Sequence, residues 1–357
     1  MKQKYFNYLL VFALLGTTSL FAGENNFKER VRREVKKTFS VNPDALLEVN
    51  NSYGDLNITT WNNNTIDITV EIIVEGRSKS RIEDKLDDIE ISFSASPQKV
   101  VANTDIENSW GRGLFSFDNI HMEINYTIKM PVNGSVDLSN DYGAILLDQL
   151  NGKAVISCDY GKVILGELNG EDNELSFDYT NNSTIEYLRS GKINADYSGF
   201  EVGEAERISL NADYTNARFE AIGDLNFNMD YGKLNLGEVT AVKGSSDYTS
   251  IRIDELIKKL KITSDYGSIR INNVSKDFET IDLNLEYIST QIGVNPNSSF
   301  NFELDLEYCS FSSQLPLNYQ QKIQEMGEKY FSGSYNSKGQ TSGTITIEAE
   351  YGSLKFK

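Results

Sequence analysis

From residue 133 onward the chain is written in short alternating runs. Leu234-x-Leu236, Ile251-x-Ile253 and Ile269-x-Ile271 each place an apolar residue at every second position. Such alternation marks a half-buried strand. The parity of the runs flips at a recurring Asp-Tyr. Ile262 and Ser264 precede Asp265-Tyr266, and Ile269 and Ile271 follow it. Quoted in full, the unit reads SDYGSIRI at 264–271, SCDYGKVIL at 157–165 and NMDYGKLNL at 228–236.

The unit recurs at a nearly fixed period. Tyrosine stands at 142, 160, 179, 197, 214, 231, 248, 266, 287, 308 and 351. It follows Asp141, Asp159, Asp178, Asp196, Asp213, Asp230, Asp247 and Asp265, and then Glu286, Glu307 and Glu350. The spacing is 17–21 residues until a final gap between Tyr308 and Tyr351. This is too short for a helical repeat and fits one coil of a β-solenoid. The expected fold is therefore mainly β, a parallel β-solenoid of roughly ten 17–21-residue coils with a small N-terminal α+β cap. Stacked at ~4.8 Å per coil, it would form a rod about 45–50 Å long.

Each coil is expected to turn twice. Asp-Tyr-Gly is one corner, with the Gly, Thr or Ser after the tyrosine absorbing the parity flip. The Asp carboxylate would accept hydrogen bonds from amides just ahead of it. The second corner falls at Gly203, Gly237, Asp254 and Asn272, residue types that tolerate a left-handed backbone. An antiparallel meander competes, with Asn151-Gly152 and Asn169-Gly170 as hairpin turns. Later repeats lack that dipeptide yet keep their apolar spacing, which favours the solenoid.

The flanks do not repeat. Residues 1–22 have the layout of a secretory signal peptide: Lys2 and Lys4, an apolar run over Tyr8–Leu15, and small residues up to Ala22. The run is short for a membrane span of ~20 residues. No second run of that length follows, so no transmembrane segment is expected in the mature chain. Residues 23–132 are expected to form the cap. Within them Tyr53-Gly54 matches the repeat once, ahead of the rest. Ser80-x-x-Glu83 reads as a capping box opening a helix with Ile82, Leu86 and Ile89 on one face. Residues 133–357 would be the solenoid, interrupted by an insertion at 315–343 with a short helix near 318–329.

Charge excludes one class of partner. The net charge is −18, and removing Lys2 and Lys4 with the leader takes it to about −20. Nucleic-acid binding needs clustered Lys and Arg on phosphates, so no nucleic acid is expected. Cys158 and Cys309 lie far apart along the rod, beyond the ~7 Å that a disulfide spans. Both are expected as free thiols, with Cys158 in a small interior slot.

Catalytic signatures are missing. There is no G-x-G-x-x-G, P-loop, C-x-x-C or H-E-x-x-H. His121 stands alone on the polar parity of its strand and reads as a solvated histidine. The Asp ladder is the best chemical candidate. Carboxylates ~5 Å apart repel by about 1 kcal/mol in water-like dielectric, so turn amides or Ca²⁺ must offset the repulsion. The calcium roll's G-G-x-G-x-D is not present, which favours amides and no cofactor. The tyrosines, Tyr160, Tyr231 and Tyr266 among them, are expected to pack inward or into the corners, stapling the coils by stacking. An outward strip able to stack on sugars is the competing arrangement, and it would be an aggregation hazard. Trp110, Phe115 and Phe117, in the glycine-rich ENSWGRGLFSFD of 107–118, are candidates for a binding loop, though burial in the cap explains aromatics equally.

The N-S-Y-G-D-L-N-I-T-T-W of 51–61, the strand–helix–strand module and the repeated D-Y-G-x-I-x-L units resemble the exported bacterial "putative adhesin" β-strand-repeat domains of unknown function. The resemblance spans most of the mature chain. It implies a right-handed parallel β-solenoid and an adhesion-like role, and it supplies no catalytic residues. The late coils depart from it, with Glu-Tyr in place of Asp-Tyr-Gly. The expected function is a non-enzymatic cell-envelope binding module with a glycan or protein ligand, in the periplasm or at the cell surface. A purely structural spacer and a carbohydrate-active β-helix enzyme are the competing classes.

Overall fold

The computed structural model describes residues 29–107, 120–337 and 343–357. The leader at 1–22 and the loop aromatics Trp110, Phe115 and Phe117 lie outside these residues. The mainly β expectation holds. Among the described residues a single helix, Lys79–Asp87, accompanies strands that all join one 22-stranded sheet.

The N-terminal part is antiparallel. Glu29–Ser40 pairs with Thr65–Gly76, which pairs in turn with His121–Pro131. Every second residue of Thr65–Gly76, from Ile66 to Val74, is buried. The helix lies against this strand with Ile82 fully buried. Its N-cap is Ser78, which makes no side-chain capping bond. The expected Ser80–Glu83 box therefore does not form, because Ser80 already lies within the first turn.

His121–Pro131 converts this arrangement to a parallel one. It pairs in parallel with Leu56–Trp61, which continues in parallel to Ala144–Leu150. Beyond it, strands pair in parallel with the segment one repeat away. Asp141 lies beside Asp159, Asp159 beside Asp178, Asp178 beside Asp196, Asp196 beside Asp213 and Asp213 beside Asp230. Equivalent apolar residues stack inside in the same register. Leu138, Ile156, Leu175, Ile193, Leu210 and Phe227 form one such buried column. Burying a side chain of this size contributes about 1.5–3 kcal/mol, and the column is repeated at every inward position. Asn151-Gly152 and Asn169-Gly170 do not reverse the chain into hairpins, since the strands they join run to parallel partners.

The corners are built differently from the expectation. The left-handed residue is the tyrosine itself, with φ from 47° to 64° at all twelve Asp/Glu/Ser-Tyr positions. This twist absorbs the parity flip. The glycine that follows is required for another reason. A Cβ at Gly161 would lie 2.0 Å from the Gly143 carbonyl oxygen on the neighbouring rung. Where the residue after the tyrosine is Ser198 or Thr215, it is buried and its hydroxyl bonds backward: Thr215 Oγ1 donates to the Ala195 oxygen at 2.8 Å. The second corner, unlike the first, is not left-handed. Gly203 and Gly237 keep ordinary φ, and each passes close to a carbonyl of the adjacent rung.

The C-terminal end holds an unexpected order. Gly343–Glu350 pairs in parallel with Thr280–Val294 on one side and with Phe300–Glu307 on the other. A strand from the end of the sequence is thus inserted between two earlier ones. The expected helix near 318–329 is not there. Asn318–Gln324 and Glu328–Tyr335 form an antiparallel hairpin that covers the outer edge of Phe300–Glu307. An uncovered edge would recruit other strands. Here Glu328–Tyr335 closes the edge, and the strand outside it, Asn318–Gln324, has residues that are all exposed and mostly polar. Cys158 and Cys309 are both buried and free.

A tyrosine ladder and the groove beside Tyr53

The repeat's tyrosines form one continuous stack. Ring centroids are 4.8–5.3 Å apart and planes lie 1–11° from parallel from Tyr53 through Tyr266 to Tyr287, then Tyr351 and Tyr308. The left-handed tyrosine backbone turns each ring out of the core at the same point of every rung. Parallel pairing in register then fixes the spacing at the inter-strand distance, ~4.8 Å. The rings stack at the corners, but they are not hidden. Their exposure runs from 41% at Tyr53 to 58% at Tyr308.

This geometry decides what the strip can contact. Rings this close and this parallel cover one another's faces. What points outward is a row of ring edges and phenol groups, so sugars cannot stack on ring faces along the strip. Each offset-stacked pair contributes about 0.5–1.5 kcal/mol. Burial, followed by the neighbouring rings, raises the phenol pKa of Tyr197, Tyr231 and Tyr266, so these hydroxyls stay protonated at neutral pH.

The Asp ladder runs beside the rings. Its carboxylates do not cap the amides just ahead, as expected from the sequence. They accept from the amide of the next Asp in the stack: Asp178 Oδ1 from Asp196 N at 3.2 Å, Asp196 Oδ1 from Asp213 N at 3.0 Å, and Asp230 Oδ1 from Asp247 N at 3.2 Å. Asp141, Asp159 and Asp265 occupy the same face, half-buried. Among the described residues no three of His, Cys, Asp or Glu converge as metal ligands. Burial first, and neighbouring carboxylates after it, push the pKa of Asp213 and Asp247 upward. Burial likewise pushes the Cys158 thiol up to about 12, which leaves it unreactive.

The two ends of the ladder differ. At Tyr308 the chain passes close to the ring, since a Cβ on Gly327, whose φ is +90°, would lie 3.0 Å from the Tyr308 Cε1, yet this ring is the most exposed of the ladder. Among the described residues Tyr53 stacks on one ring, Tyr142, and its carbonyl oxygen accepts the Ile124 amide of the next strand at 2.9 Å. Strand Ala144–Leu150 lies on one side of Leu56–Trp61 and carries the ladder onward through Tyr142. Strand His121–Pro131 lies on the other side. There a groove of about 800 Å³ opens, lined by Tyr53, Asp55, Asn57, Glu71, His121, Glu123, Asn125 and Thr127 among others. His121 is solvated, as its strand parity suggests, with Nε2 3.0 Å from Glu123 Oε1. Sequence spacing could not reveal this groove. Its residues come from three strands and two tyrosine corners that only antiparallel and parallel pairing bring together.

No protein-family model matches the chain, and no curated protein does. Solved structures do. A putative adhesin from Parabacteroides merdae is 10% identical with a TM-score of 0.33, over 73% of this chain and 92% of its own. A putative lipid binding protein from Parabacteroides distasonis is 10% identical with a TM-score of 0.31, over 91% and 96%. A putative cell adhesion protein from Clostridium sporogenes is 12% identical with a TM-score of 0.19, over 91% and 99%. Several of these names match the family that the repeated motifs resemble. At such identities and TM-scores they carry no argument about function, which rests on the chain's own geometry.

Proposed function

We propose that the chain is an exported, non-enzymatic binding module of the cell envelope, built on a parallel β-solenoid. In this reading residues 1–22 are removed on export, 23–132 cap one end, and 133–357 form roughly ten coils. The inserted hairpin at 318–335 caps the other end. The observation that carries the reading is the exposed tyrosine ladder. Twelve outward aromatic rings in one row are costly to keep in water, and their stacking only adds to a cohesion that the interior columns already supply. Tyrosine edges and hydroxyls, rigidly held, suit an interaction surface. The Asp ladder beside them keeps the face soluble and disfavours anionic partners.

A purely structural spacer would be served as well by small polar corners. A catalytic reading has one feature in its favour, the His121–Glu123 pair in the groove. Both side chains are exposed, at 57% and 45%, and water there screens the charges that catalysis would use. Among the described residues no helix is long and apolar enough to cross a membrane.

The test is protease shaving of intact cells that produce the chain, with a periplasmic protein as leakage control. Cleavage of the chain while the control survives supports a surface binding module. Full protection until the envelope is opened removes contact with other cells from the reading. Retention of the chain in the cytoplasm, with residues 1–22 uncleaved, would overturn export altogether.

A further inference from the structure

We infer that the outermost strand of the C-terminal hairpin, Asn318–Gln324, is a docking edge for a second copy of this chain, joined strand to strand about a twofold axis. The inference goes beyond the binding-module reading and does not rest on it. A strand that pairs on one side only offers its free amides and carbonyls to another strand, and folded chains blunt such edges with charge, cover or shortness. Among the described residues four strands pair on one side only. Three of them are blunted. Glu29–Ser40 is densely charged, with Arg30, Arg32, Lys36 and Lys37 exposed along it. Ile89–Ala95 is screened, with Phe93 against Phe39 at 6.0 Å and Arg33 donating to the Ile89 oxygen. Ser310–Ser313 is only four residues long, and Pro316 follows it.

Asn318–Gln324 has none of these devices. Its sequence, NYQQKIQ, holds one charge, Lys322, with no acid and neither Pro nor Gly. A low-charge run without proline is what edge pairing requires. The strand is also held in place: Tyr319 packs on Phe302 and Phe331, each at 5.8 Å, and Glu328–Tyr335 pairs along its inner side. Apolar side chains mark the same end of the molecule. Outside the tyrosine ladder, the large apolar side chains exposed among the described residues are Tyr319, Ile323 and Met326, all in this hairpin.

Charge selects a second copy, and it selects the arrangement. The chain carries −18, so most of its surface repels another copy, whereas this strand carries no acid to do so. The other end of the molecule does not fit it, because Lys322 would meet the basic side chains of Glu29–Ser40. Like end therefore meets like end, which closes a dimer instead of growing a filament. In an antiparallel pair centred on Ile323, Ile323 meets its own copy. Lys322 of each chain then lies opposite Gln324 of the other, and Glu325 opposite Gln321, so no like charges are opposed.

The test is sedimentation equilibrium of the mature chain over a rising concentration series, with small-angle scattering of the associated species. A monomer–dimer equilibrium is expected, with a dimer about twice as long as the monomer and no thicker. Ile323→Lys sets two like charges against each other on the axis and should weaken dimerisation by about tenfold or more. Met326→Lys, at a fully exposed turn residue that folding does not use, should weaken it in the same direction. Ile323→Val keeps a β-branched side chain and should keep the dimer. Lys37→Glu, on the edge at the other end, should leave it unchanged. A chain that stays monomeric at every concentration overturns the inference, including one that binds a foreign strand peptide at this edge but no second copy. Growth past the dimer overturns the closed twofold. A dimer that survives both Ile323→Lys and Met326→Lys, or one that is broad and short because the rods lie side by side, overturns the docking edge.

Discussion

Tyr287 stacks on Tyr351, with ring centroids 5.0 Å apart, and not on Tyr308, the next tyrosine of the repeat. Tyr308 lies on the far side of Tyr351, at 5.1 Å. The C-terminal strand therefore completes the stack from within. Ile345, Ile347, Leu354 and Phe356 are buried by this insertion. Removing residues 343–357 should open a slot between Thr280–Val294 and Phe300–Glu307. The loss is expected to be on the order of 5 kcal/mol or more, from four side chains at about 1.5–3 kcal/mol each. Limited proteolysis should then cut within 295–337, and a 343–357 peptide added in trans should restore protection. An unchanged proteolysis pattern in the truncated chain would contradict the inserted topology.

The glycines after the tyrosines make a sharper contrast. Gly161→Ala puts a methyl 2.0 Å from the Gly143 oxygen, a backbone atom that cannot rotate away. The expected cost is about 3 kcal/mol, as for overpacking. Gly199 stands two residues after Tyr197, and its nearest neighbour is a side-chain atom, Asn181 Oδ1, at 3.3 Å. Gly199→Ala should stay within about 0.5 kcal/mol of neutral. Thermal melts of the two variants check this directly.

Tyr231 separates stacking from backbone strain. It stacks on Tyr214 and Tyr248, each at 4.8 Å, and has a φ of 54°. Tyr231→Ala loses both contacts, at about 0.5–1.5 kcal/mol each, and keeps a left-handed Cβ. Tyr231→Asn loses the same contacts but tolerates the backbone better. Denaturation should rank the wild type first, Asn second and Ala last. Equal stability of all three would mean that the rings contribute nothing to cohesion.

The acid ladder fixes the sign of a pH effect. Asp178, Asp213 and Asp247 of the ladder, and Asp137 on another face, have raised pKa values, with burial the leading cause. A raised carboxylate binds its proton more tightly in the folded chain than in the unfolded one. Its contribution is therefore present in acid and lost as pH rises through the folded value. Glu34 and Glu174, lowered by Lys36 and Lys153, act in the opposite sense, but both are fully solvated and weakly coupled to folding. The Tm is expected to rise as pH is lowered from 7 into the carboxylate range, and to rise with salt at pH 7 as repulsion is screened. Asp213→Asn with Asp247→Asn should flatten the pH response. A Tm that falls steadily below pH 7 would contradict this.

Much of this architecture is written in the period. The Asp-Tyr spacing and the inward columns such as Leu210 and Phe227 follow from alternation alone, because parallel in-register pairing needs only equal repeats. The local chemistry of the corner does not follow. A tyrosine at positive φ is rare enough that glycine is the natural choice for the left-handed residue, and only the close carbonyl at Gly143 explains why glycine sits one place later. The insertion of 343–350 leaves a single trace, the long gap between Tyr308 and Tyr351. Residues 318–324 read as a short helix because nothing local shows the hairpin they form with Glu328–Tyr335. The groove leaves no trace at all. Glu71 and Glu123 lie on separate strands and Asp55 in the corner before Leu56–Trp61, and their meeting depends on the pairing of His121–Pro131 with both Thr65–Gly76 and Leu56–Trp61.

The most direct test of the account removes the middle of the ladder without removing the fold. Tyr197, Tyr214 and Tyr231 are changed together to Asn, and the purified chain is sedimented with isolated cell envelopes. The account expects circular dichroism to keep its β signature while the bound fraction falls severalfold. Undiminished binding by the folded triple variant would contradict the claim that the tyrosine ladder is the binding face.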